Sequence, residues 1–165
     1  MKLIRNNAER LLRLVNQMLD LSNLETGNLA VKTFQIDLIP LLSYWVESRK
    51  SLAEQKKVKL HFWKNQDHLI MDTDIEKMED IILNLVHNGI KFTPAGGEVQ
   101  VSLSLKDDHV SGNYEQIEVK DNGIGVKEDL LEKIFDRFYQ VDENAPEGSG
   151  LGLSLTREYI HLLGG

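Results

Sequence analysis

The 165-residue sequence contains no cysteine. That excludes disulfides, a zinc–thiolate centre and a thiol nucleophile, and it is compatible with a reducing compartment. No apolar run reaches membrane-spanning length, because charges interrupt every cluster. The opening Met1-Lys2-Leu3-Ile4-Arg5 also lacks the hydrophobic stretch of a signal peptide. Net positive charge is missing too. Nineteen Lys and Arg against 26 Asp and Glu leave a formal −7, which argues against unassisted binding to a nucleic-acid backbone. What remains, 41% apolar and 27% charged residues, is the composition of an ordinary folded chain, long enough for one core and a helical extension.

The first segment reads as helix to about Glu25. Ile4, Ala8, Leu11, Val15, Met18 and Ser22 recur at alternating spacings of four and three, and Leu12, Leu14, Leu19 and Leu21 widen the stripe. A seven-residue period suits a left-handed bundle of two or four helices completed by another chain or a further helix. The alternative is a long helix lying on its own domain. Thr26-Gly27-Asn28 ends it. Leu29 to Leu38 alternates in part, as a strand with a turn or bulge, and Pro40 suits the start of a helix running to Lys56-Lys57. Val58, Leu60 and Phe62 alternate as a strand, with Leu69 to Met71 as a short partner. Asp74 to Ile90 is again helical, with Ile75, Met78, Ile81, Ile82, Leu85 and Val86 apolar. Thr93-Pro94-Ala95-Gly96-Gly97 is a stop. Val99, Val101, Leu103 and Leu105, then Ile117 and Val119, predict a hairpin around a polar turn from Asp107 to Asn113. These elements imply an α/β two-layer sandwich, its sheet mixed and mostly antiparallel with helices on one face, preceded by a long bundle-forming helix.

Three stretches could carry chemistry. Asn84, Asn88 and Lys91 fall four and three apart, on one helical face. Two carboxamides and an amine there can meet a cation and phosphate oxygens, although solvent-facing or capping roles are the plainer reading. Asp121-Asn122-Gly123-Ile124-Gly125 follows a strand; its carboxylate can accept from an exocyclic amine and its glycines allow close backbone approach, though a tight turn would look the same. Gly148-Ser149-Gly150-Leu151-Gly152 opens a helix containing Leu153, Leu155, Tyr159, Ile160 and Leu163, an arrangement that can present N–H groups to phosphates. Neither a Walker A loop nor a Rossmann fingerprint fits these glycines. Between the glycine stretches, Arg137 could reach a phosphate. Phe135 and Phe138 suit anchoring, and Val141 to Gly148, with Pro146, reads as a lid.

In this order the stretches resemble the catalytic and ATP-binding domain of sensor histidine kinases, within the Bergerat-fold (GHKL) ATPases that include type II topoisomerases, MutL proteins and the heat-shock protein of 90 kDa. Asn84 to Lys91 is similar to the N box, Asp121 to Gly125 to the first glycine box, Phe135 to Phe138 to the F box, and Gly148 to Gly152 to the second glycine box. Residues 1–28 resemble the second helix of the dimerisation and histidine-phosphotransfer domain, and 29–165 the catalytic domain.

The resemblance implies ATP and Mg2+ as cofactors. Asn88 would bind magnesium, with Asn84 placed near the phosphates and Lys91 and Arg137 neutralising their charge. Asp121 would read the adenine amino group beside Gly123 and Gly125. Gly148, Gly150, Leu151 and Gly152 would close over the phosphates. The γ-phosphoryl group would pass to a histidine and then to an aspartate of a response-regulator receiver domain. The partners implied are that receiver and a second copy joined through the N-terminal helix, with no nucleic acid and no membrane segment in this chain. The chain would be a cytoplasmic portion of a parent that could itself be membrane-bound.

The family's acceptor histidine is expected ahead of residue 1. None of His61, His68, His87, His109 and His161 has the acidic-flanked acceptor pattern. The chain also stops at Gly165, where family members continue through further strands. Nucleotide binding with little or no autophosphorylation is therefore expected. Related ATPases place a general-base glutamate where this chain has Asn84, which disfavours hydrolysis. A non-catalytic nucleotide-binding or dimerisation module is the remaining alternative.

Overall fold

The computed structural model describes residues 2–108, 112–141 and 148–165. The chain forms two compact units, Thr33–Lys127 and, in two pieces, Met1–Lys32 with Glu128–Gly165.

The larger unit runs β1 (Phe34–Asp37), α2 (Leu38–Glu47), α3 (Lys50–Gln55), β2 (Lys59–Lys64), β3 (Ile70–Thr73), α4 (Ile75–Phe92), β4 (Glu98–Asp108) and β5 (Gly112–Asp121), α1 (Lys2–Glu25) belonging to the other unit. Its main sheet has the order β2-β4-β5, with β2 parallel and β5 antiparallel to β4. Phe62, Val101 and Val119 share one row of the ladder, Leu60 and Val99 another. Val99, Val101 and Leu103 are fully buried, as are Ile82, Val86 and Ile90 of α4 and Leu42 of α2. Burying each such side chain stabilises the fold by roughly 1.5–3 kcal/mol before entropy is counted. The alternate row, Gln100 and Lys120, is exposed. Among the described elements of this unit, the helices therefore cover the apolar face.

The structure revises three readings. The strand expected across Leu29 to Leu38 is only Phe34–Asp37. Its partner β3 is four residues long, so the ladder ends at Phe34↔Thr73. That partner is β1, in a separate two-stranded sheet, and not the strand of Val58 to Phe62. The helix expected from Pro40 starts two residues earlier. Asp37 caps it by accepting from the Ile39 N–H at 3.3 Å, and Pro40 lies in the first turn, where an N–H has no helical partner to lose. That helix also divides. Ser48 Oγ donates to the Trp45 carbonyl at 2.6 Å, a side-chain bond that competes with helix continuation, and α3 begins two residues on.

In the smaller unit, α1 (Lys2–Glu25) is followed, beyond the other unit, by short 3-10 turns at Glu128–Leu130 and Lys133–Phe135 and by α5 (Gly152–Leu162). The predicted stop closes α1 as a Schellman motif: the Asn28 N–H bonds the Asn23 carbonyl at 2.8 Å and the Gly27 N–H that of Leu24 at 3.1 Å. One stripe of α1 packs on α5. Leu21 is buried, the buried Tyr159 hydroxyl donates to Asp20 Oδ2 at 2.5 Å, and Ser149 Oγ donates to Gln17 Oε1 at 3.3 Å. Leu11, Val15 and Met18, along an adjoining stripe, are exposed. The hairpin tip with His109 and most of the predicted lid, Pro146 included, lie outside the described residues.

Candidate functional site

Helix α4 owes its position to both ends. Buried Asp74 caps the start, its Oδ1 accepting from the Lys77 N–H at 3.2 Å, a contact typically worth about 1 kcal/mol. Thr93 caps the other end before the Pro94 turn. With Ile81, Ile82, Val86 and Ile90 driven into the core, the 3.6-residue period leaves Asn84, Asn88 and Lys91 half-buried along a different stripe.

Gly89 decides what stands beside that stripe. A Cβ built there would meet Val99 Cγ1 at 3.1 Å and Asp121 Cβ at 3.9 Å. The helix backbone thus lies directly on β4 and next to the end of β5, placing Asp121 alongside the turn that carries Asn88. Sequence reasoning passed over Gly89. The available signal was a glycine between apolar residues deep in a helix, which usually marks close packing.

The loop after β5 is tied down by its own side chains and by α4. Asp121 Oδ1 accepts from the Gly123 N–H at 2.9 Å, and Asn122 Oδ1 from the Glu98 N–H at 2.8 Å. The Ile124 N–H reaches the Phe92 carbonyl at 3.2 Å. At Gly123 a Cβ would stand 2.6 Å from that same carbonyl oxygen, a separation backbone cannot tolerate, so glycine is needed for the loop to close on the helix end. Gly125 follows at φ +68°. Asp121 remains exposed at the mouth of this arrangement, with carboxylate lone pairs beyond the one Gly123 engages.

Asp121 and Gly123 therefore stand against the end of α4 that carries Asn88 and Lys91; Asn84, a turn further back on that helix, and Gly125 belong to the same larger unit. Arg137, Gly148, Gly150, Leu151 and Gly152 belong to the smaller one. There the Phe138 N–H bonds the Gly150 carbonyl at 2.9 Å. Gly150 sits at φ +68°, and a Cβ on it would fall 2.4 Å from the Phe138 carbonyl carbon. The two segments thus touch backbone to backbone. Buried Leu151 donates its N–H to Ser149 Oγ at 3.2 Å, Gly152 opens α5, and Gln140 Nε2 donates to the Gly148 carbonyl at 3.3 Å. Of the two expected aromatic anchors, half-buried Phe135 has the Arg157 guanidinium 5.5 Å from its ring centre. Phe138 is a correction: its ring is exposed, and its backbone, held at φ 63°, makes the attachment. Arg137, exposed, lines a shallow depression with Met18, Leu21 and Ser22 of α1.

The histidines divide by environment. His61 is exposed on β2, half-buried His87 lies on α4, and exposed His161 on α5. His68 was missed as a partner: its Nδ1 lies 2.7 Å from Asp37 Oδ2, while Asp37 Oδ1 accepts from the Leu69 N–H at 3.0 Å. The hydrogen bond with His68, then that from Leu69, holds the Asp37 carboxyl below its ordinary range.

The donor set also tests the fit to a metal. Among the described residues no group of three or more His, Cys, Asp or Glu side chains could cage an ion. Asn88, half-buried on α4, offers a single carboxamide oxygen, and a hard ion such as magnesium needs no such cage where it keeps several waters and phosphate oxygens hold it.

Against known proteins, residues 73–165 match the family described as histidine kinase-, DNA gyrase B-, and HSP90-like ATPase. The chain belongs to that family, whose domain binds ATP. It is 36% identical over 164 residues to the sensor histidine kinase TmoS of Ectopseudomonas mendocina, an alignment spanning 98% of this chain and 16% of TmoS. It is 31% identical over 163 residues to the sensor histidine kinase WalK of Bacillus subtilis strain 168, covering 97% of this chain and 26% of WalK. A crystal structure of full-length ShkA in complex with AMPPNP superimposes with TM-score 0.81 at 27% identity, over 97% of this chain and 32% of that one. The resemblance to the ATP-binding domain of sensor histidine kinases, and the Bergerat-type α/β sandwich, are thereby shown. The chain corresponds to about a quarter or less of the curated relatives' length. No described helix is long and apolar enough to cross a membrane.

Proposed function

We propose that this chain is the nucleotide-binding part of a sensor histidine kinase, holding Mg-ATP for transfer of its γ-phosphoryl group to a histidine outside the chain and thence to a receiver aspartate. The observation that carries the reading is the packing at Gly89, which brings the end of α4 that bears Asn88 and Lys91 alongside Asp121 and the Gly123 loop. Magnesium, when bound, supplies charge neutralisation at the phosphates. Asn88 is the protein group that meets it, while Asn84 and Lys91 orient the phosphate chain. Asp121 accepts from the adenine amine, and Gly123 keeps the loop close enough for that contact. Arg137 and residues Gly148, Gly150, Leu151 and Gly152 serve the phosphate end. Residues 1–28 supply one helix of a dimerisation bundle, a role suited to the exposed apolar stripe of α1, and 29–165 the catalytic domain. The relatives' kinase names and the nucleotide analogue in the ShkA crystal support the same assignment.

The test uses γ-labelled ATP. This chain alone should form neither labelled protein nor free phosphate, since no acceptor is assigned within it and Asn84 cannot act as a general base. The longer kinase that this reading implies should form an acid-labile, base-stable phosphohistidine, lost on Asn88→Ala. Steady phosphate release by this chain would point to a hydrolysing ATPase instead.

A further inference from the structure

The larger unit carries a second feature, unrelated to the nucleotide site. Among the described strands, β2 pairs only with β4 and forms an edge of its sheet. The Lys59 N–H bonds the Gly97 carbonyl at 2.9 Å, so in this parallel ladder Lys59, His61 and Trp63 point their backbone groups toward β4. Those of Leu60 and Phe62 point the other way, to the open edge. An edge of this kind is a template for another strand.

Beside that edge runs an open groove of about 290 Å³, between β2 and α3. Ala53 and Val58 give it an apolar floor, together with Leu60; Lys50, Lys59 and His61 stand on its rim, with Glu54 the one carboxylate. Lys50 also pairs with Glu47 at 2.5 Å on the exposed surface, whereas Lys59 and His61 are exposed on the outer face of β2. The groove lies in the most basic stretch of an acidic chain. Residues 49–64 hold six lysines and arginines against one glutamate, while the whole chain has 19 against 26.

We propose that this groove takes an extended acidic peptide, added as a strand to the free edge of β2. Main-chain bonds to Leu60 and Phe62 would supply the register. Apolar side chains at alternate positions would enter the floor, and carboxylates between them would meet Lys59 and His61. The lysines that guard an edge against self-association here also select the sign of the partner. Glu54 and the unused backbone donors favour a peptide over a phosphate backbone, which has no N–H or C=O ladder to offer.

The probe is a fluorescent, blocked hexapeptide alternating Glu and Val, with its Lys–Val counterpart and a single-stranded thymidine decamer as controls. Anisotropy should show saturable binding of the acidic peptide alone, weakened about fivefold by Lys59→Glu and further by added salt. Amide exchange at Leu60 and Phe62 should slow on saturation, while that at Lys59, already bonded, stays as it was. Leu60→Pro removes one edge donor at a position where an edge strand tolerates proline and should abolish binding in a protein that circular dichroism shows folded. If that variant does not fold, the exchange pattern and Lys59→Glu still decide. Absence of saturable binding, preference for the oligonucleotide, or unchanged exchange at Leu60 and Phe62 would overturn the proposal.

Discussion

Adding one methyl group at Gly123 and, separately, at Gly89 gives different expectations that follow from local geometry and helix propensity. At Gly123 the new Cβ would stand 2.6 Å from the Phe92 carbonyl oxygen and 2.7 Å from Asp121 Oδ1. The carbonyl is backbone, and it already accepts the Ile124 N–H at 3.2 Å, so relief requires the loop to leave the end of α4 and that bond to stretch. Overpacking of this kind costs about 1–3 kcal/mol. At Gly89 the Cβ would meet Val99 Cγ1 at 3.1 Å, a contact that a few tenths of an ångström relieves. Alanine there also gains about 0.8–1 kcal/mol of helix propensity over glycine. Gly89→Ala should therefore lie within about 1 kcal/mol of the parent, and Gly123→Ala about 1–3 kcal/mol below it. In thermal melts that places Gly123→Ala roughly 2–12 °C below the parent for a chain of this size. Urea unfolding of both variants followed by circular dichroism measures the difference. Gly123→Ala as stable as the parent, or less destabilised than Gly89→Ala, would refute the close approach of loop and helix.

Asp37→Asn should change the acid limb of the stability curve. Because the folded carboxyl is held below its ordinary range by His68 and Leu69, its contribution is complete above the unfolded value of about 3.9 and disappears as pH falls through the lower folded value; urea midpoints between pH 2.5 and 6 should fall more gently in the variant. Asp74→Ala removes the cap on Lys77 and should cost about 1 kcal/mol in the same assay. Tyr159→Phe removes the donor to Asp20; the loss, about 1 kcal/mol, should appear as faster amide exchange in the last turns of α1.

Helix α4 was legible because its cap, apolar period and stop all sit within twenty residues, and the β4–β5 hairpin because alternation is local. The face shared by Asn84, Asn88 and Lys91 followed from spacing in the same way. The partner of β3 was not readable: four residues such as Ile70–Thr73 carry no record of which strand they meet. The break between α2 and α3 rests on where the Ser48 hydroxyl turns, which pattern does not encode. Asp37 and His68 lie 31 positions apart. Within the candidate site the overlooked element was Gly89, where the informative feature is a missing side chain. Attention to carboxamides and carboxylates passes over such a position, although it sets the distance between them.

Calorimetric titration of Mg-ATP into the parent, Asn88→Ala and Asp121→Ala tests the central claim most directly. The account predicts saturable binding by the parent, weakened at least tenfold by each substitution, the scale of one lost charge-assisted hydrogen bond or metal ligand. Undiminished binding by both folded variants, or no binding by the folded parent, would contradict it.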